Sequence, residues 1–292
     1  MLIVDPHVHI VDLWTRLYPG FETPSVSFIG STAPIARSYF LEELLGEGEG
    51  EFEIAKIVNV EARPNDRLSE SRYLQSLADR TGYPQGIVCG VDLSLPTAAA
   101  ELEAQVTFAN VRGVRQILNV HTDPLFNYTS ENLLNNVRWR ENFSILRQFG
   151  LSFDMQLYPH QFDEAAKLVR EHQETLFIIN HAGMYADRTL AGFRQWRDGL
   201  RRLSEHENVC IKISGLGMLD HHWTLESIRP YAYSILDTFG VDRVMFASNF
   251  PVDKLYSSYS AVWRAFSQLC ADFSETEKSA LFSTNAERLY RI

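Results

Sequence analysis

Three histidines stand where predicted strands end, and histidine is the side chain that most readily binds a metal ion or transfers a proton near neutral pH. His7 and His9 lie two residues apart at the end of an apolar run. Side chains alternate between the two faces of a strand, so we expect both imidazoles on one face, where they could share a divalent cation. His181 follows another apolar run and precedes Ala-Gly. Structural histidines are common, yet three at strand ends favour a catalytic or metal-binding centre.

Other predicted strands also end in polar side chains. Asn249 and Asp253 come at and after the end of the last strand, and Glu61 ends the second. Asp253 is the carboxylate nearest to Asn249 in the sequence, although a turn or a salt bridge with Lys254 explains it at least as well. Further candidates are the loop residues His160, Asp220, His221 and His222. For the last three, a position in a surface loop without a catalytic role is the simpler explanation.

The elements that must position these residues follow a regular rhythm. Short apolar or β-branched runs alternate with longer amphipathic or loop segments, which is typical of a parallel sheet with crossover helices. The predicted strands are 2–10, 54–61, 86–92, 113–118, 152–157, 176–181, 209–214 and 243–249. The predicted helices are 66–81, 97–109, 133–149, 162–171, 193–204, 225–239, 259–269 and 274–291. Ser274 and Glu277 have the spacing of a capping box at the start of the last helix.

Eight strands alternating with helices in 292 residues predict an α/β fold of the (β/α)8 or TIM barrel type, as a single domain over residues 1–292. Catalytic groups in such a barrel come from the carboxyl ends of the strands. An open, doubly wound sheet is the rival. Its first strand usually leads into a glycine-rich phosphate loop, whereas the first strand here ends in His-Val-His.

Two connections, 11–53 and 119–132, are too long to be simple linkers. Segments of that length in a compact domain tend to be lids or binding walls. The first contains several aromatic side chains, which either roof a cavity or only cover one end of the barrel: Trp14, Tyr18, Phe21, Phe28, Tyr39 and Phe40.

Composition narrows the class of partner. The net charge is −10 and the basic residues are scattered, which argues against a nucleic-acid or anionic membrane surface. No apolar run is long enough to span a bilayer, and the N-terminal stretch lacks the basic start of a signal peptide. Three distant cysteines favour neither a disulfide framework nor a thiolate metal cluster. We therefore expect a cytoplasmic protein with a small-molecule substrate; a homo-oligomer is compatible with the sequence.

A series of motifs, in this order, resembles the amidohydrolase-related family. The motifs are DPHVHI at the start, GVRQ around Arg115, FDMQ ending at Gln156, NHAG around His181, CIKISG around Lys212 and ASNFPVD around Asn249. The resemblance extends over nearly the whole chain and is greatest to the branch of sugar lactonases and pyrone-dicarboxylate lactonases. The series is specific for the superfamily but not for one substrate.

The resemblance implies substrate-binding roles. Arg115 and Lys212 match positions that hold the carboxylate or hydroxyl groups of substrates, as suits a guanidinium fork and a strand-end ammonium group. Gln156 ends one of the matching motifs, and Glu61 and His222 complete the set of candidate substrate contacts.

The resemblance also implies a metal or carbonyl-binding centre. His7, His9 and His181 match histidines that bind metal or, in metal-free lactonases, polarise the substrate carbonyl. The fourth strand carries Arg115 and no lysine of the kind that a carbamylated bridge between two metals needs. We expect at most one divalent metal, zinc or manganese, and a metal-free site fits as well.

One departure from the family pattern bears on mechanism. The last strand of family members usually ends in an aspartate that activates water, and Asn249 holds that place. An amide does not accept a proton at neutral pH. Either another group, such as Asp253, is the base, or the reaction takes a different course.

Together these features predict a hydrolase acting on a small carbonyl compound, a lactone or a related C–O or C–N bond. Two alternatives stay open. One is a decarboxylase or hydro-lyase on the same barrel. The other is a catalytically impaired, ligand-binding homologue, because Asn249 replaces the usual aspartate.

Overall fold

The computed structural model describes residues 1–292 and contains ten strands. They are β1 (Leu2–Val8), β2 (Val26–Ser27), β3 (Gly30–Ser31), β4 (Glu53–Val60), β5 (Gly86–Gly90), β6 (Val111–Ile117), β7 (Ser152–Gln156), β8 (Phe177–Ile179), β9 (Val209–Ile213) and β10 (Val244–Phe246). The pair β2 and β3 forms a small antiparallel hairpin. The other eight form one parallel sheet in chain order, each paired with the next.

The first and last strands of this sheet meet, which closes it into a barrel. Val8 of β1 forms a parallel bridge with Phe250, just beyond β10. The His9 amide donates to the Phe250 carbonyl at 2.8 Å, and the Asn249 amide donates to the His7 carbonyl at 2.9 Å. The predicted (β/α)8 barrel is confirmed, and its closure brings two predicted site segments side by side.

Twelve helices cover the sides and the two ends of the barrel. They are α1 (Pro19–Glu22), α2 (Leu41–Gly46), α3 (Arg67–Thr81), α4 (Ala98–Gln105), α5 (Val137–Phe143), α6 (Phe162–Glu171), α7 (Leu190–Ser204), α8 (Leu216–Leu219), α9 (Leu225–Phe239), α10 (Tyr259–Leu269), α11 (Glu275–Ser279) and α12 (Asn285–Tyr290). None of them is both long and apolar enough to cross a membrane.

Two apolar clusters reflect the alternation of side chains along the strands. Ile57 of β4 belongs to the large cluster between the strands and the helices, whereas its neighbour Val58 belongs to a small cluster inside the barrel. Leu289 and Tyr290 of α12 pack into that inner cluster. Lys56, near the start of β4, donates to the carbonyl of the last residue at 3.0 Å, so α12 closes the amino ends of the strands. The carboxyl ends of the strands, at the opposite end of the barrel, are not covered by α12 and are available for a functional site.

Some predicted boundaries were wrong. The single helix expected over 133–149 is interrupted: α5 is flanked by 3-10 turns at Leu133–Asn135 and Leu146–Phe149. The reason is local capping, because the Asn136 side chain accepts from the Trp139 amide at 2.9 Å and starts a new helix there. The last helix runs through α11, a π-helical turn at Ala280–Thr284 and α12, and Ser274 and Glu277 form the predicted capping box.

Candidate active site

A cavity of about 380 Å³ opens at the carboxyl ends of the barrel strands. Five of the predicted site residues line it: His9, Arg115, Gln156, His181 and Asn249. The long connection 11–53 and the segment 124–128 supply much of its wall, in agreement with their expected role as binding walls. Of the six aromatic side chains in the first connection, Phe21 alone lines this cavity, and Trp14 is 87% exposed.

The three predicted histidines lie together although they come from opposite parts of the chain. The ring centroids of His7 and His9 are 5.1 Å apart, and those of His7 and His181 are 4.5 Å apart. All three side chains are buried. His7 lies in β1, His9 just beyond its end, and His181 in the turn after β8. The parallel arrangement of the strands therefore places them at one rim of the barrel.

Hydrogen bonds at Nδ1 hold one edge of the His9 ring and one edge of the His181 ring. His9 Nδ1 lies 2.8 Å from the carbonyl oxygen of Val60. A carbonyl only accepts, so Nδ1 carries the proton and Nε2 keeps its lone pair in the neutral ring. His181 Nδ1 lies 3.0 Å from the hydroxyl of Ser214, which can donate to it and so leave the proton on Nε2. Both nitrogens of His7 are buried without a hydrogen-bond partner.

All three imidazoles are neutral at physiological pH. Burial lowers the pKa of His9 to about 4, and the nearby charge of Arg115 contributes to this shift. Burial, reinforced by Lys212, holds the pKa of His7 well below its ordinary value. Burial and then Arg115 do the same to the pKa of His181. Desolvation and positive neighbours both disfavour the imidazolium form, so the site presents neutral nitrogen donors and acceptors.

The turn that carries His181 depends on a glycine. His181 itself has φ +52°, a left-handed conformation that is unusual for a residue with a side chain. Gly215 has φ +67°, and a Cβ at that position would lie 2.8 Å from His181 Nδ1. Only glycine allows the backbone after β9 to approach the imidazole this closely.

Asn249 and Asp253 form a buried pair. Asn249 Nδ2 donates to Asp253 Oδ2 at 2.7 Å, and the Gly217 amide donates to Asp253 Oδ1 at 2.6 Å. Burial raises the pKa of Asp253 to about 7, although these two donors oppose the shift. Asn249 lines the cavity, and Asp253 lies behind it. The suggested salt bridge between Asp253 and Lys254 was wrong, because Lys254 pairs with Glu43 at 2.8 Å and with Glu47.

Arg115 and Glu61 form a second buried pair. Arg115 Nε donates to Glu61 Oε1 at 2.7 Å, and both side chains are nearly inaccessible to solvent. Burial alone would raise the pKa of Glu61, but the adjacent guanidinium holds it below its ordinary value. Arg115 Nη1 lies 3.4 Å from Gln156 Oε1, so these two lining residues are neighbours. Glu61 does not line the cavity; it orients Arg115.

Several known proteins are similar to this chain in sequence and in structure. The family model described as amidohydrolase matches residues 4–292. The chain belongs to the amidohydrolase family. The amidohydrolase is 41% identical to an uncharacterised protein of Sinorhizobium fredii, over 99% of this chain and 98% of that one. It is 26% identical to an L-fucono-1,5-lactonase of Burkholderia ambifaria, over 82% of this chain and 81% of the relative.

A solved structure agrees in fold. The amidohydrolase superposes on a Burkholderia multivorans amidohydrolase with bound zinc at a TM-score of 0.84, with both chains covered fully and 24% identity. Family membership and the lactonase relative establish an enzyme of the amidohydrolase superfamily and a hydrolase. The open alternative of a protein without enzymatic activity is thereby set aside.

Lys212 of the amidohydrolase is not at the cavity surface. It is fully buried inside the barrel, and its Nζ lies 2.6 Å from Asp154 Oδ1. The Tyr290 hydroxyl donates to the same carboxylate at 2.9 Å. This placement speaks against the expected contact between Lys212 and substrate, and makes the lysine part of the polar layer beneath His7.

The loop candidates lie elsewhere in the amidohydrolase. His222, Asp220 and His221 line a second cavity, in which Asp220 pairs with Arg188 at 2.8 Å. His221 Nε2 lies 3.0 Å from the Phe28 carbonyl. His160 bonds the carbonyl of Val120. These contacts hold loops to one another, and none of the four residues lines the main cavity.

Sequence reasoning missed three residues that shape the site. Ser214 is hydrogen-bonded to His181, Asp154 forms an ion pair with Lys212, and Arg63 lines the cavity. Ser214 lies in the CIKISG motif and Asp154 in the FDMQ motif at strand ends, so the sequence gave a usable signal for both. Arg63 lies in a loop beyond the second predicted strand, where no pattern in the sequence distinguishes it.

The three histidines are of a residue type that binds divalent cations, but their arrangement in this structure does not form a complete set of ligands. His7 keeps two unpartnered buried nitrogens and His9 Nε2 keeps its lone pair, whereas His181 Nε2 has a lone pair only in the tautomer whose Nδ1–H donates to Ser214. Imidazole nitrogens are the usual ligands of zinc. No group of three histidine, cysteine, aspartate or glutamate side chains is arranged to hold a metal ion in this structure.

Proposed function

We propose that this amidohydrolase is a lactonase, which hydrolyses the ring ester of a small polar lactone in the cavity lined by His9, His181 and Asn249. The observation that carries the proposal is a group of three neutral, buried histidines, of which His9 and His181 line the cavity beside Arg115 and Asn249 and His7 packs against both rings without lining it. The similarity to an L-fucono-1,5-lactonase over most of both chains supports the same substrate class.

His181 is suited to polarise the lactone carbonyl. When Ser214 donates to Nδ1, the proton of the neutral ring is on Nε2, which can donate to the carbonyl oxygen. This bond strengthens as negative charge develops on that oxygen during attack by water. His7, whose nitrogens have no other partner, packs against this ring but does not line the cavity, so it acts on the substrate only through His181.

His9 is suited to hold the attacking water. Its Nε2 lone pair is free because Nδ1–H donates to Val60. The low pKa makes the ring a weak base, so it orients the water and accepts a proton only as the new C–O bond forms. The ring C–O bond then breaks, and the leaving alkoxide takes that proton from the His9 imidazolium, which gives the open hydroxy acid and restores the neutral imidazole. A weak base is sufficient for lactones because their leaving group is better than that of an amide.

Asn249 is suited to orient rather than to deprotonate. Its Nδ2 is bonded to Asp253, so Oδ1 is the atom left to accept from the water or from a substrate hydroxyl. Asp253 would act through Asn249 by fixing which end of the amide faces the cavity.

His7, His9 and His181 have the ligand chemistry for a divalent cation, zinc or manganese, but they would have to rearrange to hold one. A cation there would polarise the carbonyl and lower the pKa of bound water. A bound cation would occupy the His9 Nε2 lone pair and would require the His181 proton to move to Nδ1, so the hydrogen-bonding roles given above for these two rings are those of the site without a metal.

A panel of sugar lactones tests the proposal, with hydrolysis followed by acid release and bound metal measured on the same preparation. We expect His181→Ala to lower kcat/KM by about 100-fold or more, since it removes a donor to the developing oxyanion. His206→Ala, a histidine outside both cavities, is the matched control and should keep wild-type activity. Turnover unchanged in His181→Ala would remove the histidine centre from the mechanism, and carbon dioxide release would indicate a decarboxylase instead.

A further inference from the structure

The wall of the main cavity is positively charged in a chain that is acidic overall. None of its 23 lining residues is aspartate or glutamate, and two are arginines, Arg63 and Arg115. The whole chain has 37 acidic and 27 basic side chains. The acidic excess therefore lies outside the cavity, whose lining favours an anionic ligand.

The two arginines differ in how far their charge is compensated. Arg115 is buried and paired with Glu61 at 2.7 Å. Arg63 is exposed, has no carboxylate within ion-pair distance, and holds its guanidinium 5.1 Å from the centre of the Tyr128 ring. The aromatic contact restrains the guanidinium but leaves its N–H groups without an anionic partner. Arg63 is thus the lining cation that is available to a ligand.

Arg63 is also held in place by its backbone. Its amide donates to Glu61 Oε2 at 2.7 Å, and the preceding amide of Ala62 donates to the buried Glu70 at 3.0 Å. These bonds keep Arg63 at φ +55°, a conformation that a residue with a side chain rarely adopts in a free loop. Since Glu61 Oε1 receives Arg115, a single carboxylate positions both arginines of the cavity.

We propose that Arg63 binds a carboxylate of the substrate, so that the preferred substrate is a lactone that carries a carboxylate group outside its ring ester. The inference rests on the lactonase function proposed above and adds the class of lactone. The lining of the same cavity includes Phe21, Ile35 and Ile117, apolar side chains that suit the carbon skeleton of a ring. A guanidinium beside such a surface can make two parallel bonds to a carboxylate.

The test compares two sugar lactones that differ in one group: a neutral lactone and its counterpart whose terminal carbon is oxidised to a carboxylate. We expect the wild type to prefer the acidic lactone, and Arg63→Gln to raise its KM roughly tenfold, as for a partly exposed charged hydrogen bond. The KM of the neutral lactone should not change. Arg63→Lys should restore part of the loss. Arg138→Gln removes the same charge from an exposed site on α5 and should alter neither lactone.

The outcomes separate this inference from the proposed function. Equal KM values for both lactones in wild type and Arg63→Gln would overturn the carboxylate site and leave the lactonase in place. If the wild type hydrolyses neither lactone, the lactonase proposal fails, and calorimetry with the open-chain dicarboxylate judges the site directly. Binding that is lost in Arg63→Gln would then support the carboxylate site, and equal binding in both proteins would overturn it.

Discussion

Asn249 donates from Nδ2 to Oδ2 of Asp253 over 2.7 Å, and both side chains are almost completely buried. The pair lies where the last barrel strand ends, next to the seam with the first strand. A buried amide and a buried carboxylate are complementary because one donates and the other accepts. Changing either partner alone breaks that complementarity.

Replacement of Asn249 by aspartate should impair the enzyme at neutral pH. It would bring two carboxylates to about the same 2.7 Å separation, and two like charges that close cannot both ionise in a buried site. We expect kcat/KM to fall about tenfold or more and stability to fall by about 1–3 kcal/mol. The double variant Asn249→Asp/Asp253→Asn restores one amide and one carboxylate and should recover much of both losses. Higher lactonase activity in the single variant would contradict this account.

Stability should depend on pH through Asp253. Burial raises its pKa to about 7 in the folded protein from an ordinary value of 3.8, so between these values the folded state binds a proton that the unfolded state has released. The free energy of unfolding should therefore decrease as pH rises from about 4 to about 7, by at most about 1.4 kcal/mol per pH unit from this group.

Asp253→Asn lacks this titration. Its free energy of unfolding, measured in denaturant at several pH values, should improve relative to wild type as pH rises through the same window. Asp272→Asn, at an exposed position, should run parallel to wild type. A pH-independent difference between Asp253→Asn and wild type would show that the carboxyl is ionised throughout.

Gly215→Ala should damage the site more than its backbone strain alone explains. The added Cβ would lie 2.8 Å from His181 Nδ1, so the imidazole must move. Gly50 provides the matched control: it has φ +75°, but a Cβ there meets nothing within 4 Å. Both variants should lose about 1–3 kcal/mol of stability from the left-handed backbone, but only Gly215→Ala should lose activity. Equal activity in the two variants would mean that the ring tolerates displacement.

Lys212→Met should strongly destabilise the barrel. It leaves Asp154 buried without the cation that lies 2.6 Å away, and removing one member of a buried ion pair costs about 3–5 kcal/mol. Adding Asp154→Leu should recover part of this loss, because the isolated charge disappears. Denaturant unfolding measures both. A wild-type stability in Lys212→Met would show that Tyr290 and Asn180 are sufficient partners for the carboxylate.

The convergence of His7, His9 and His181 could be predicted because strand alternation and parallel closure are properties of the chain's pattern. The pairing of Asn249 with Asp253 could not, since the intervening turn could have directed the carboxylate towards Lys254. The role of Arg63 could not be predicted either. Its position depends on backbone hydrogen bonds to the side chains of Glu61 and Glu70, which the spacing of residues in the sequence does not indicate. The sequence pattern therefore predicted which strand ends meet. It did not predict which polar and charged side chains pair with one another there.

The break in the helix expected over 133–149 has a similar origin. Periodicity alone supports a continuous helix there, but Asn136 bonds the Trp139 amide and begins a separate helix. Competition between a side chain and the backbone for the same donor is decided locally, at a scale below that of the hydrophobic repeat.

The site lies at the seam where Val8 forms a β-bridge with Phe250, so it can form only when most of the chain has been made. During ribosomal synthesis His7 and His9 are made first, and more than 230 further residues are added before the segment around Asn249 is made. A fragment that ends before that segment has all three histidines but lacks Asn249 and the contact that closes the barrel. In a refolding time course, catalysis should consequently return later than helical ellipticity, since it reports the joining of the two ends and not the growth of the individual units.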